Sequence, residues 1–500
     1  MPPAPWESVP SHETYFALVT GANSGIGFGI GQRLIDEYLA TRSLTSHIVV
    51  IPTTRSVKKS NETVYALRQH VKQLAETSTA LRSRAGPSYE LRDTTRRVHI
   101  LSVQLDLCNL ATVRRAAEQL VHGTLNSPPP PPQPQATTTS SSSSFDDDDD
   151  DFFEPLVDVR IPRLDVVIFN AGIGGWTGLD WYKVAHNILT RGLVQATTWP
   201  TFKAATGGYV VNPLPDAKDP LSVPKVGEVF CANLFGHYLF AHAIVPLLSR
   251  PSSTLAPGRI IWESSIEGTW ADLSLDDFQG IRSREAYESA KRLTDVLALT
   301  AALPSTRPYT KSYLSSSSSD PTNNNNDNIT PPKIYLVHPG VVQTTLFPLN
   351  AFMFFWYRIV LYIARFLGSP WHPITAYNGA VAPVWLALQE QAALDAAGAE
   401  RVKWGSSTDR SGECRVKKTE VEGWGWDGTV DDSGASKEEK KDKKDKDNQM
   451  VGKLVGRRYG AVDLTEERRR DFETLGAVCW EKMEKLRAEW EKRIEDSLSG

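Results

Sequence analysis

The chain has 500 residues, 40% of them hydrophobic, and a formal net charge of −4. That length and apolar content allow a sizeable buried core, and the near-neutral balance gives no reason to expect nucleic acid as a partner. The four cysteines (Cys108, Cys231, Cys414, Cys479) form no CxxC and show no metal-ligand spacing, which reads as free thiols in a reducing compartment and no metal site.

In chain order, the opening MPPAPWESVPSHE has no basic and no apolar region, so no secretory signal is expected. YFALVT (15–20), HIVVIPT (47–53), VHILSVQLDL (98–107), LDVVIFN (164–170), RIIWESS (259–265) and KIYLVHPG (333–340) are short, Val/Ile-rich and not alternating. Strands of a parallel sheet covered on both faces have that character. Helical patterns lie between them, for example at 26–42, 61–83 and 109–122. The alternation predicts an α/β fold, a Rossmann-type doubly wound sheet in a single domain over 14–390. Three tracts, 127–151, 315–332 and 431–450, hold too few apolar residues to offset ordering entropy and are expected as disordered insertions. Residues 391–500 read as a C-terminal extension. Within its helix, 464–498, Phe472, Leu475, Cys479, Met483, Leu486, Trp490 and Ile494 make one apolar stripe, which packs onto the domain or binds a partner.

The first strand runs into Thr20-Gly21-Ala22-Asn23-Ser24-Gly25-Ile26-Gly27, and a helix follows. Such glycines allow a tight turn and close approach to a pyrophosphate, which rests on amides at the helix N-terminus. A glycine-rich turn without a ligand is the plain alternative; the strand–turn–helix setting favours binding. An NAD site usually carries an acid at the end of the second strand. Here Arg55 and Lys58 stand there, and no acid comes before Glu62. Guanidinium suits a 2′-phosphate, so NADPH is preferred to NADH, the alternative being a solvated basic helix start. Asp106 either accepts a hydrogen bond from the adenine amine or caps a helix.

Tyr287 and Lys291 are spaced i, i+4 and share one helix face. The ammonium is expected to lower the tyrosine pKa, so that the phenol gives a proton to a carbonyl oxygen as hydride reaches carbon. A surface tyrosine beside a solvated lysine is the bland reading. Ser265, at the end of a strand, lies where open α/β sheets bind ligands. It is chosen over Ser264 because it precedes Gly268 by three residues.

TGANSGIG, Asn170-Ala171-Gly172, Asn233 in CANLFG, the serine pair before Gly268, YESAK and PGVVQT stand in the order found in short-chain dehydrogenases/reductases. The chain resembles that family over about residues 20–345. The resemblance implies a catalytic tetrad of Asn233, Ser265, Tyr287 and Lys291, with Asn233 holding a water that relays protons to Lys291. It implies NADPH contacts from Gly21, Asn23, Ser24, Gly25, Ile26, Gly27, Arg55, Asp106, Asn170, Tyr287 and Lys291, and from Pro339, Gly340, Val342 and Thr344. One departure is the long interval from Ser265 to Tyr287, whose WADLSLDDFQGIRSRE is expected as a loop near the substrate.

More narrowly, FNAGIGGWTGLDW (169–181), VFCANLFGHYLF (229–240), YESAKRLTDVLAL (287–299), RFLGSPWH (365–372) and KWGSST (403–408) resemble the fungal 3-ketosteroid reductase family of sterol C-4 demethylation. That implies NADPH-dependent reduction of the 3-ketone of a zymosterone-like sterol to the 3β-hydroxyl. It also implies association with the other C-4 demethylation enzymes and oxidosqualene cyclase, at the cytosolic face of the endoplasmic reticulum and on lipid droplets. The rival readings are a reductase of another lipophilic ketone and a silent NADPH-binding scaffold; the complete tetrad argues against the second. The segment 346–367, LFPLNAFMFFWYRIVLYIARFL, is broken by Pro348, Arg358 and Arg365, and its uninterrupted apolar run is too short to span a bilayer comfortably. A helix lying in a membrane interface fits it better than a buried lid or a true span.

Overall fold

The computed structural model describes residues 3–128, 152–251, 255–315, 329–344, 349–430 and 456–498. The three low-complexity tracts, apart from their edges, and residues 345–348 lie outside the described residues.

The strands are β1 (Thr14–Val19), β2 (His47–Thr54), β3 (Val98–Ile100), β4 (Val166–Phe169), an antiparallel pair of β5 (Trp176–Leu179) and β6 (Lys203–Ala205), then β7 (Arg259–Glu263), β8 (Lys333–His338), β9 (Lys403–Thr408) and β10 (Cys414–Thr419). The helices that position the site are α1 (Gly25–Thr41), α2 (Val57–Thr77), α3 (Leu110–His122), α4 (Trp181–Thr198), α5 (Gly236–Ala243), α6 (Ala286–Thr300), α7 (Ala351–Phe366) and α8 (Val381–Leu388), with α9 (Glu466–Leu498) at the C-terminus. The main sheet runs β10-β9-β8-β7-β4-β1-β2-β3, parallel except for β10. Helices cover both faces, so Phe16, Ala17, Leu18 and Val19 of β1 and all of β4 are buried, as the non-alternating pattern requires. The strand order reverses between β1 and β4. In such sheets the ligand crevice opens there, beyond the strands' C-terminal ends.

The observed elements differ from the sequence expectation in three places. The run 98–107 is not one strand; a break at 101–102 leaves β3 and a two-residue piece, Val103–Gln104, in the same register against β2. The helix expected over 61–83 is two helices, because Ser78 ends α2 and caps a new one, Thr79–Ala85, by accepting from the Leu81 amide. The sheet also does not stop at residue 390: β9 joins β8 in parallel and β10 joins β9 antiparallel, so residues 403–419 belong to the same sheet.

The C-terminal stripe packs inward. Phe472, Cys479, Trp480, Met483, Trp490 and Ile494 are buried in the main core. Trp480 donates from Nε1 to the Leu297 carbonyl of α6 at 3.1 Å and meets the Tyr313 ring at 5.4 Å. Gly476 faces Thr300 so closely that a Cβ there would lie 2.6 Å from its side chain. Trp480→Ala is therefore expected to lower stability by about 3–5 kcal/mol, read from denaturant midpoints; a change near zero would mean that α9 is dispensable to the core.

Candidate active site

The glycine turn is built from backbone that only glycine adopts easily. Gly21 and Gly25 have φ of +65° and +55°, and a Cβ on Gly21 would lie 2.9 Å from Ala171. A Cβ on Gly27 would lie 2.4 Å from the Gly21 carbonyl and 2.5 Å from Asn170 Nδ2. Asn170 braces the turn: Nδ2 donates to the Thr20 carbonyl at 3.0 Å and the Gly21 carbonyl at 3.4 Å. Asn23, Ser24 and Gly25 are exposed. Ser24 is the N-cap of α1 but its side chain accepts no cap hydrogen bond, which leaves the first-turn amides of Gly25, Ile26 and Gly27 available to an anion. Thr344, arriving after Pro339, Gly340 and Val342 at the end of β8, approaches the same turn, 3.6 Å from a Cβ built on Gly25.

The turn meets the end of β2 where the Ala22 amide donates to the Thr53 carbonyl. Arg55 follows directly and is exposed. Lys58 is also exposed but lies 3.9 Å from Glu62 of its own helix. Across from them the Leu105 amide donates to Thr54, which brings Asp106 beside the same edge. Asp106 is not the helix cap. Asn109 caps α3, accepting from the Ala111 and Thr112 amides, while Asp106 Oδ1 accepts from the Cys108 amide at 2.9 Å. These residues fit a nicotinamide dinucleotide: an open amide cradle without a competing acid, and a guanidinium at the ribose end.

At the other end of the crevice, Lys291 is buried and donates from Nζ to the Glu263 carbonyl at 2.8 Å. Burial pushes its ammonium down to about 8, opposed by the charges of Glu263 and Asp295. Beneath it, Asp295 of α6 pairs with Lys403 of β9 at 2.6 Å and accepts from Ser264 Oγ at 2.6 Å. Ser264 is thus committed to packing, and Ser265 faces Tyr287. The phenol of Tyr287 is held above its ordinary range, first by loss of water and next by the charge of Glu267, with a hydrogen bond from Ser265 in opposition. This corrects the expectation that Lys291 lowers it. The Lys291 amine is turned to a carbonyl, 5.6 Å from the ring centroid, and the charges that raise the phenol are those of Glu267, Glu288 and Glu263.

Asn233 lies within a π-helical turn, Cys231–Phe235, of the kind that often marks functional sites. Its Nδ2 donates to the Ile173 and Val229 carbonyls at 2.9 and 2.8 Å, which fixes the amide's orientation. Its Oδ1 is buried without a hydrogen-bond partner among the described residues and sits where a Cβ on Gly172 would be.

Motif reading missed Trp176, Lys203, Glu267 and Glu288. Lys203 pairs with both Glu267 and Glu288, and the Trp176 ring meets Tyr287 at 4.8 Å. Glu288 stands inside YESAK, where spacing draws the eye to its neighbours; Lys203 carries no sequence signal. With Asp272 and Glu285 of the long loop, these residues line a cavity of about 80 Å³.

No family model matches the chain. It is 48% identical to a 3-keto-steroid reductase of Gibberella zeae, over 98% of this chain and 96% of that one. It is 38% identical to a 3-keto-steroid reductase of Aspergillus fumigatus, over 96% of this chain and 95% of the other. Among solved structures, an alcohol dehydrogenase from Thermococcus sibiricus matches with a TM-score of 0.36 at 14% identity, over 79% of this chain and 96% of that one.

Glu263 offers a test of the site's electrostatics. Its carboxyl is buried, lacks a hydrogen-bond partner among the described residues, and is pushed up by burial from 4.5 to about 8, with Lys291 opposing. Because the folded value is the higher one, the unfolded chain loses this proton first as pH rises. Stability therefore falls between about 4.5 and about 8 and levels off above. Glu263→Gln removes that titration, so its melting temperature should gain on the wild type across this window. A difference independent of pH would contradict the assignment.

Proposed function

The chain belongs to the 3-keto-steroid reductases, and on that premise we propose that it reduces the 3-ketone of a zymosterone-like sterol intermediate to the 3β-hydroxyl with NADPH during C-4 demethylation. The observation that supports the reading most is Ser265 and Lys291 lying beside Tyr287, at the end of the crevice opposite the glycine turn. A bound NADPH supplies the hydride. Tyr287 stays protonated near neutral pH and gives its proton to the ketone oxygen, which Ser265 also engages. Lys291, near 8, holds a proton it can release and regain at physiological pH. Asn233 Oδ1 offers an acceptor for a water linking that lysine to solvent. Purified protein in detergent should oxidise NADPH with 3-keto sterols far faster than with non-sterol ketones, and Tyr287→Phe should abolish that turnover while keeping cofactor affinity. Equal rates across the panel would remove the sterol assignment.

The preference for NADPH rests on Arg55. Arg55→Ala should lose about 1–3 kcal/mol of discrimination against NADH, from the ratio of kcat/KM values. An unchanged ratio would make Arg55 a solvated surface residue.

The sterol's solubility suggests where the enzyme works. Phe352, Phe355, Trp356 and Phe366 of α7 are exposed, while Leu361 and Ala364 on its other face are buried. Trp181, Tyr182 and Leu189 of α4, against which α7 packs, are exposed as well. Among the described residues no helix is long and apolar enough to cross a membrane. These features support α7 lying flat in the cytosolic leaflet of the endoplasmic reticulum and on lipid droplets, where other C-4 demethylation enzymes and oxidosqualene cyclase are the expected partners. Phe354 is half-buried, so the informative variant is Phe352→Ser/Phe355→Ser/Trp356→Ser. It removes side chains that each bury on the order of 150–250 Å² in lipid and should move the protein from the membrane pellet to the soluble fraction. Retention in the pellet after carbonate washing would contradict the interfacial placement.

A further inference from the structure

Lys203 belongs to no motif, yet its side chain is only 5% exposed and its ammonium pairs with two carboxylates, those of Glu267 and Glu288. Glu267 stands two residues beyond Ser265, and Glu288 directly follows Tyr287. One cation therefore joins the β5–β6 pair, the loop after β7 and the first turn of α6. The same Nζ lies 4.2 Å from the Trp176 ring centroid and 5.2 Å from that of Tyr287. The two rings meet edge to face. A buried ion triad contributes little to stability compared with apolar groups of the same shape, because desolvation offsets the attraction. Stability alone does not account for it.

We propose that Lys203 is a positioning residue for the reduction: pinned by Glu267 and Glu288, it holds the Tyr287 ring against Trp176 and keeps the phenol on Ser265. This rests on the reading of Tyr287 as the proton donor. A hydroxyl contact at the phenol end fixes one atom of the side chain. The ammonium and the indole restrict the ring itself, whose tilt decides where the proton points.

Lys203→Met alone would strand two half-buried carboxylates and can fail to fold. The decisive variant is Lys203→Met/Glu267→Gln/Glu288→Gln, which exchanges three ions for neutral groups of similar shape. Its melting temperature, its KM for NADPH and its kcat on a 3-keto steroid are compared with those of the wild type, Lys203→Arg and Tyr287→Phe. The triple variant should melt and bind NADPH much like the wild type while kcat falls by about tenfold to a hundredfold. Lys203→Arg, which keeps the cation, should recover part of that loss. A triple variant with wild-type kcat overturns the proposal, as does a kcat that falls only in step with the folded fraction. If Tyr287→Phe is inactive while the triple variant is fully active, only the role of Lys203 fails. If Tyr287→Phe itself turns over normally, the reading of the tyrosine fails first.

Discussion

A charge buried in protein is costly unless it is paired, and α6 carries several. Lys291 sits in the interior with its amine on the Glu263 carbonyl, and one turn later Asp295 binds Lys403 of β9 and the Ser264 hydroxyl of β7. Breaking one partner of such a pair typically costs about 3–5 kcal/mol, so the helix has few alternatives to its seat. That seat decides which hydroxyl is free. Ser264 is consumed by Asp295, and Ser265 is left to face Tyr287. It also ties β9 to the site, since without Lys403 the Asp295 carboxylate would lose its ion-pair partner.

The glycine turn and the tyrosine end share the crevice because close approach is enforced between them. Asn170 binds the carbonyls of Thr20 and Gly21, and Gly172, two residues on, leaves room for the Asn233 side chain. The dinucleotide cradle, the segment after β4 and the π-turn are thus in direct contact, and a side chain on any of these glycines would push them apart. The 3-keto-steroid reductase relatives match over nearly the full chain, including the C-terminal strands and α9 that complete this core.

Local pattern made the parallel sheet legible, since strands buried on both faces cannot alternate, and it made the glycine turn and the Tyr287–Lys291 spacing legible as well. The strands β9 and β10 were not read as part of the sheet: WGSST and CRVKKT are polar or charged, and their place depends on Asp295 and on pairing with β8. The tyrosine's environment was misjudged for a related reason. Spacing gives the nearest charge along the helix, whereas Glu267 reaches Tyr287 from another segment. Lys203, on a three-residue strand outside the quoted motifs, meets Glu267 and Glu288 only once the chain has folded. Tertiary contact, invisible to periodicity, supplied each of these.

Hydride delivery to a steroid carbonyl, with Tyr287 as the proposed acid, leaves a label that can be followed. The most direct measurement incubates the purified protein in detergent with NADPH deuterated at the transferring position of the nicotinamide and a 3-keto 4-methyl sterol, and analyses the product by mass spectrometry and NMR. The wild type should yield a 3β-hydroxysterol carrying one deuterium at C3, and Tyr287→Phe should yield no such product. A product without label at C3, or a 3-ketone left unreduced by the folded wild-type protein, would contradict it.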